Sequence, residues 1–208
     1  MKKLLKSFLL VGALLVGAFT ALAQSSGSGG FQTLSSGSAS IGGFGGPGVK
    51  FGSLDGKFAM FAGGYGGLYL GKAFMLGGGG YSLISDYALP NDILGSVRED
   101  NLSLNMSYGG PMVELTIMGD DAIHFGANTL VGFGSASVVS SAGSGDLRSG
   151  NVVLIEPGLF AEANVTNWFR ISAGGSYRLV TSSRLGTMSA SQLSGAAFDI
   201  SFKFGKFW

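Results

Sequence analysis

From Phe44 to the C-terminus, apolar and polar residues alternate with a period of two, in segments separated by short polar or glycine-containing connections. Successive side chains of a strand point to opposite faces, so this period predicts an all-β chain with no convincing amphipathic helix. Eight strands are predicted, at 44–53, 57–70, 73–87, 102–118, 122–139, 151–165, 168–181 and 193–207.

The last strand is the clearest: Phe198, Ile200, Phe202 and Phe204 alternate with Asp199, Ser201, Lys203 and Gly205. In the seventh, Phe169, Ile171, Ala173, Tyr177 and Leu179 share one parity and Arg170, Ser172, Ser176 and Arg178 the other. The sixth sets Val153, Ile155, Leu159 and Val165 against Glu156 and Glu162. One apolar and one polar face suit either a soluble sheet over a core or a barrel in lipid.

The connections separate these possibilities. Gly71-Lys72, Gly119 to Asp121 and Thr166-Asn167 are tight, whereas Ala88 to Asn101, Ser140 to Gly150 and Ser182 to Gln192 are long, with Leu54-Asp55-Gly56 as the one short connection at their end. Short turns at one end and longer loops at the other, on an even number of strands, characterise outer-membrane barrels. Each strand also reaches the about 9 to 11 residues that a tilted strand needs to cross a bilayer. The long loops carry Asp92, Arg98, Glu99, Asp100, Asp146, Arg148 and Arg184. In the fourth strand the apolar parity changes from Leu104, Met106 and Tyr108 to Val113, Leu115 and Ile117, which predicts a bulge at Gly109-Gly110-Pro111.

Residues 1–23 lack this alternation. Lys2, Lys3 and Lys6 precede an apolar run that ends Ala21-Leu22-Ala23, the pattern of a secretory signal cleaved between Ala23 and Gln24. Residues 24–37, QSSGSGGFQTLSSG, read as a flexible leader, which leaves 38–208 as the barrel domain. Removing 1–23 leaves 185 residues with ten basic and twelve acidic side chains. That balance offers no basic surface for nucleic acid. With no Cys, disulfides, thiolate metal sites and a lipidated N-terminal cysteine are excluded, and the 38 Gly suit bulges and close backbone approach in a small barrel.

The C-terminal run Phe198-Asp-Ile-Ser-Phe-Lys-Phe-Gly-Lys-Phe-Trp208 resembles the closing strand of outer-membrane β-barrel proteins. With the signal segment and the strand layout, residues 38–208 are similar in architecture to the small eight-stranded barrels of the OmpX and OmpA membrane-domain type. The resemblance implies an antiparallel up-and-down transmembrane barrel, outer-membrane lipid as its surroundings, and recognition of the last strand by the barrel-assembly machinery. The external loops are shorter here than in many adhesive or receptor barrels.

Candidate chemistry is sparse. The charges of luminal parity are Glu114, Glu156, Glu162, Arg170, Arg178, Asp199 and Lys203, and a tight sixth-to-seventh hairpin would bring Glu162 to Arg170 and Glu156 within reach of Arg178. An eight-stranded interior is just wide enough for side chains to fill, so a plugged polar lumen is expected. Trp168, Phe169, Phe204, Phe207 and Trp208 are expected to form an aromatic girdle at the periplasmic rim, with Phe58, Tyr81, Tyr87 and Tyr108 towards the other end. The one histidine, His124, falls near the periplasmic end with luminal parity. Some eight-stranded barrels modify outer-leaflet lipid with a Ser and a His, but His124 is at the wrong end for that, so no enzyme, metal or cofactor is expected. The resulting expectation is a monomeric outer-membrane barrel with a structural or surface-interaction role through its external loops. A small pore or transporter, and a secreted soluble barrel binding lipid inside, are the alternatives.

Overall fold

In the computed structural model, the described residues are 41–71, 73–89, 102–117, 121–140 and 146–207. The Ala23/Gln24 cleavage site, the leader, Trp208, and the loop charges Asp92, Arg98, Glu99 and Asp100 lie outside them.

Eight antiparallel strands close in sequence order into one barrel: β1 (Ile41–Leu54), β2 (Lys57–Leu70), β3 (Phe74–Leu83), β4 (Leu102–Ile117), β5 (Ile123–Ser140), β6 (Asp146–Asn164), β7 (Phe169–Ser183) and β8 (Gly195–Lys206). Closure comes from β1 pairing with β8, for example Lys50 opposite Asp199. No edge among these strands is left open, so the backbone groups pair between neighbours all round the wall.

Two strand limits depart most from the sequence reading, and one element is added. β3 stops at Leu83 rather than 87, because Ile84 and Ser85 both donate to the carbonyl of Met60 before pairing resumes at a single bridge between Ala88 and Ser103. β6 starts at Asp146 instead of 151 and extends its ladder with β5. A four-residue helix, α1 (Ala190–Leu193), lies in the β7–β8 connection, held by a capping box in which Ser189 and Gln192 satisfy each other's backbone N–H groups.

The expected bulge in β4 is absent. Pairing with β3 runs unbroken through Gly109, Gly110 and Pro111, and even-numbered residues face inward along the whole strand. What changes is the chemistry of the two faces. Towards the short-turn end, Val113, Leu115 and Ile117 face outward while Glu114 and Thr116 face inward. Towards the long-loop end, Ser103, Asn105 and Ser107 face outward and Leu102, Leu104 and Met106 are buried inside.

The neighbouring strands repeat this inversion. On β5, Ile123, Phe125, Val131 and Phe133 are exposed on the outside, followed by Ser135 and Ser137, while Ala136 and Val138 are buried within. On β6, Ile155 and Val153 give way outside to Asn151 and Ser149, over buried Leu154 and Val152. Along these three strands the wall is therefore two stacked zones. The lower one is apolar outside and polar inside; the upper one is polar outside and apolar inside. From Ile123 to Phe133 is ten residue steps on β5. At about 3.3 Å per step and a tilt of about 40°, that run has a height of about 25 Å, the height of the apolar band of a membrane barrel.

Candidate functional site: the interior and its mouth

The lower interior holds two ionic clusters. In the one nearer the short turns, Lys203 of β8 donates to Glu114 Oε1 of β4 at 2.8 Å and pairs with Glu162 of β6. Arg170 Nη1 donates to Glu162 Oε1 at 3.1 Å, and His124 Nε2 lies 3.0 Å from the same oxygen. Tyr69 donates its hydroxyl proton to Glu114 Oε1 at 2.7 Å. These six charged or titratable side chains are all at most 2% exposed.

The second cluster lies higher. Lys50 of β1 bonds to Glu156 of β6 and stands 3.2 Å from Asp199 of β8. Glu156 also accepts from Tyr108 at 2.7 Å and from Ser176 at 2.9 Å. A carboxylate inside a low-dielectric wall is tolerated when a cation and several donors surround it, and both Glu156 and Glu162 have that company. Between the clusters sits a cavity of about 30 Å³ lined by Lys50, Tyr65, Tyr81, Asn128, Ser172, Asp199 and Ser201 among others, enough for about one water molecule.

Above them lies the mouth of the barrel. Arg178, 1% exposed, turns its guanidinium upward: Nε donates to the carbonyl of Leu193 at 2.9 Å and Nη2 to that of Ser53 at 3.0 Å. Its flat face rests 4.4 Å above the ring of Phe61. Arg178 thereby ties the β1–β2 end to α1, and Gln192 adds a bond from Nε2 to Asp55 Oδ2 at 3.3 Å. Leu54, Phe61, Leu154 and Leu193 are wholly buried beside it, with Leu102, Leu104, Leu185 and Val180 packed into the same layer.

All seven charges selected from the sequence by parity lie in the interior. Glu162 meets Arg170 as the hairpin register suggests, diagonally, because Asn164 is the residue opposite Arg170. Glu156 takes its hydrogen bonds from Lys50, Tyr108 and Ser176, and Arg178 lies within electrostatic reach of it, as expected, while donating to the mouth carbonyls. Lys50 is the functional side chain missing from the sequence reading. Its luminal neighbours on β1 include Gly46, Gly48 and Gly52, so no alternation marks its face, although its even number matches that of Phe44.

The girdle divides. Trp168, Phe169 and Phe204 form an outward stack, with centroids 6.1 Å apart for Trp168–Phe204 and 4.9 Å for Phe169–Phe204. Phe207 does not belong to it: it is 2% exposed, packed on Phe44 and under the Arg170 guanidinium at 3.8 Å. Tyr81, Tyr87 and Tyr108 are likewise interior, at 3 to 6% exposure, and Phe58 is outside at 65%. Tyr69 and Tyr108 serve as luminal donors, because a phenol reaches across the lumen and still ends in a hydroxyl, whereas Tyr177 is outside at 50% exposure.

No protein-family model matches the sequence, and no curated protein matches it. Solved structures do. Neisserial surface protein A, NspA, superposes with a TM-score of 0.57 at 10% identity, over 81% of this chain and 99% of that one. The N-terminal β-barrel domain of Pseudomonas aeruginosa OprF gives 0.54 at 9%, over 79% and 96%. Ail, the attachment invasion locus protein of Yersinia pestis, seen in complex with the heparin analogue sucrose octasulfate, gives 0.50 at 10%, over 79% and 97%. At such identities the likeness is one of fold: the chain has the architecture of the small eight-stranded outer-membrane barrels.

Proposed function

We propose that the chain is an exported, monomeric outer-membrane barrel that is closed to solutes and holds a rigid, water-exposed extension of its wall above the bilayer as a surface for contact. The polarity inversion along β4, β5 and β6 is the observation that carries this reading. Only a wall that passes from lipid into water has reason to exchange its apolar and polar faces without changing register. The short turns then face the periplasm, and the long loops and the hydroxyl-rich upper wall face outward.

Closure is supported from both halves. Below, side chains from opposite walls meet across the axis; above, an apolar layer seals the mouth beneath α1. His124 is wholly buried and engaged with Glu162, which supports a structural part for it and no catalytic one. The outward aromatic alternation of β8 is the feature the assembly machinery would read, and the Lys-rich apolar segment ending at Ala23 the one the export machinery would cleave. Two of the similar structures are named for surface or attachment roles, which accords with an outward-facing contact surface here.

Washed outer membranes from cells expressing the full chain should contain a band whose gel mobility changes on boiling, and the purified barrel should leave a planar bilayer at its baseline conductance. A soluble product without a boiling shift, or discrete conductance steps from the parent protein, would overturn the reading.

A further inference from the structure

The outer wall carries an open depression of about 550 Å³ where its polarity inverts. Its floor spans β2 to β6 and is low because, at the outward-facing positions, Gly80 contributes no side chain and Ala62 only a methyl. Along its upper side runs a ladder of neutral hydrogen-bonding groups on adjacent strands: Ser82 opposite Ser107, Ser107 opposite Ser135, and Ser135 opposite Asn151. Ser107 donates to Ser82 at 2.9 Å, which leaves the Ser135 hydroxyl and the Asn151 amide at the outer surface. Phe133, 57% exposed, stands on the apolar side of the same hollow.

This position has one natural occupant. Below the ladder the wall faces acyl chains, and above it water, so the hollow lies where a lipid of the outer leaflet changes from chain to head group. The upper side offers hydroxyl and amide groups without charge, and above it Asn105, Ser137 and Ser149 continue the same chemistry. Neutral donors and acceptors of this kind match the hydroxyls of a sugar ring, whereas a phosphate is best held by Arg or Lys.

We propose that the hollow seats an outer-leaflet glycolipid, with one acyl chain against Gly80 and Phe133 and an uncharged sugar hydrogen-bonded to Ser107, Ser135 and Asn151. The inference rests on the membrane placement proposed above and names the partner of the upper wall.

The test is native mass spectrometry of the full mature barrel, released from nonionic micelles holding equal amounts of dioleoyl monoglucosylglycerol and dioleoyl phosphatidylglycerol. The parent should retain one glucolipid in preference to the phospholipid, and the Ser107→Ala/Ser135→Ala pair should lower that retention about tenfold. Gly80→Leu, which fills the floor, should abolish it; a Cβ there meets its nearest atom, the Tyr108 carbonyl oxygen, at 3.3 Å. If that variant fails to give the folded gel band, the serine pair decides alone. Leu159→Ala, outside the hollow on the lipid face of β6, should bind as the parent does. Equal retention of both lipids, preference for the phospholipid, or unchanged binding by the serine pair would overturn the inference. A dimer that the serine pair disrupts would also overturn it, in favour of a second copy of the chain. Each of these failures leaves the boiling shift and bilayer location intact, which separates them from failure of the membrane reading itself.

Discussion

Lys203 and Glu114 stand on β8 and β4, four strands apart in either direction round the barrel, and yet Lys203 Nζ lies 2.8 Å from Glu114 Oε1. The bond is a strut across the full width of the lumen. It shows how little free space lies between opposite walls of an eight-stranded barrel at this level.

Removing one end of that strut leaves Glu114 and Glu162 facing each other without their shared cation. Lys203→Met should destabilise the barrel by about 3 kcal/mol or more, the cost of stranding a buried charge. Lys203→Arg should lose less. Equilibrium unfolding of the micellar barrel in urea, followed by tryptophan fluorescence, measures both; equal stability of Lys203→Met and the parent would show that the carboxylates find other partners.

Arg178 joins the β1–β2 end to α1 through two carbonyls. Arg178→Ala should loosen the β7–β8 connection while the lower barrel stays folded. Limited proteolysis should then cut within 184–194 at least about tenfold faster, since each charged hydrogen bond lost contributes about 1.5 kcal/mol or more to holding the segment closed. An unchanged cleavage rate would place the closure in the apolar layer of Leu185 and Leu193 alone.

Two adjacent glycines on β1 should behave oppositely. A Cβ on Gly46 would fall 1.7 Å from the carbonyl oxygen of Phe202, whereas one on Gly45 meets nothing within 4 Å. Gly46→Ala should therefore prevent or severely weaken barrel closure against β8, and Gly45→Ala should give the parent's boiling-dependent gel shift. Normal folding of Gly46→Ala would mean that β1 and β8 are further apart than described.

The sequence carried most of the wall and less of its contents. Alternation in β6, β7 and β8 was legible because large apolar residues and charges take turns there, as in Phe202, Lys203 and Phe204. On β1 the same period is silent, since glycines occupy both faces, and no alternation marks Lys50 as luminal. The parity change in β4 was visible but had two causes that a single strand cannot distinguish, a slipped register or an exchanged environment. Only the continuous pairing of Gly78 with Pro111 and Gly80 with Gly109 decides for the second. For the aromatic girdle, parity is the better guide than residue type. Phe207 shares its parity with Lys203, and Tyr108 with Glu114, which already sets both inside.

The exchange of faces along β5 is the most exposed point of this structure to experiment. In a chain without cysteine, nitroxide labels at Phe125→Cys, Thr129→Cys, Phe133→Cys, Ser135→Cys and Ser137→Cys would sample one outward face from bottom to top in reconstituted bilayers. Accessibility to oxygen, which concentrates in lipid, should exceed that to a water-soluble nickel chelate from 125 through 133, and the order should reverse at 135 and 137. Lipid-like accessibility continuing to 137, or water-like accessibility at 129, would contradict the two-zoned wall and the membrane placement built on it.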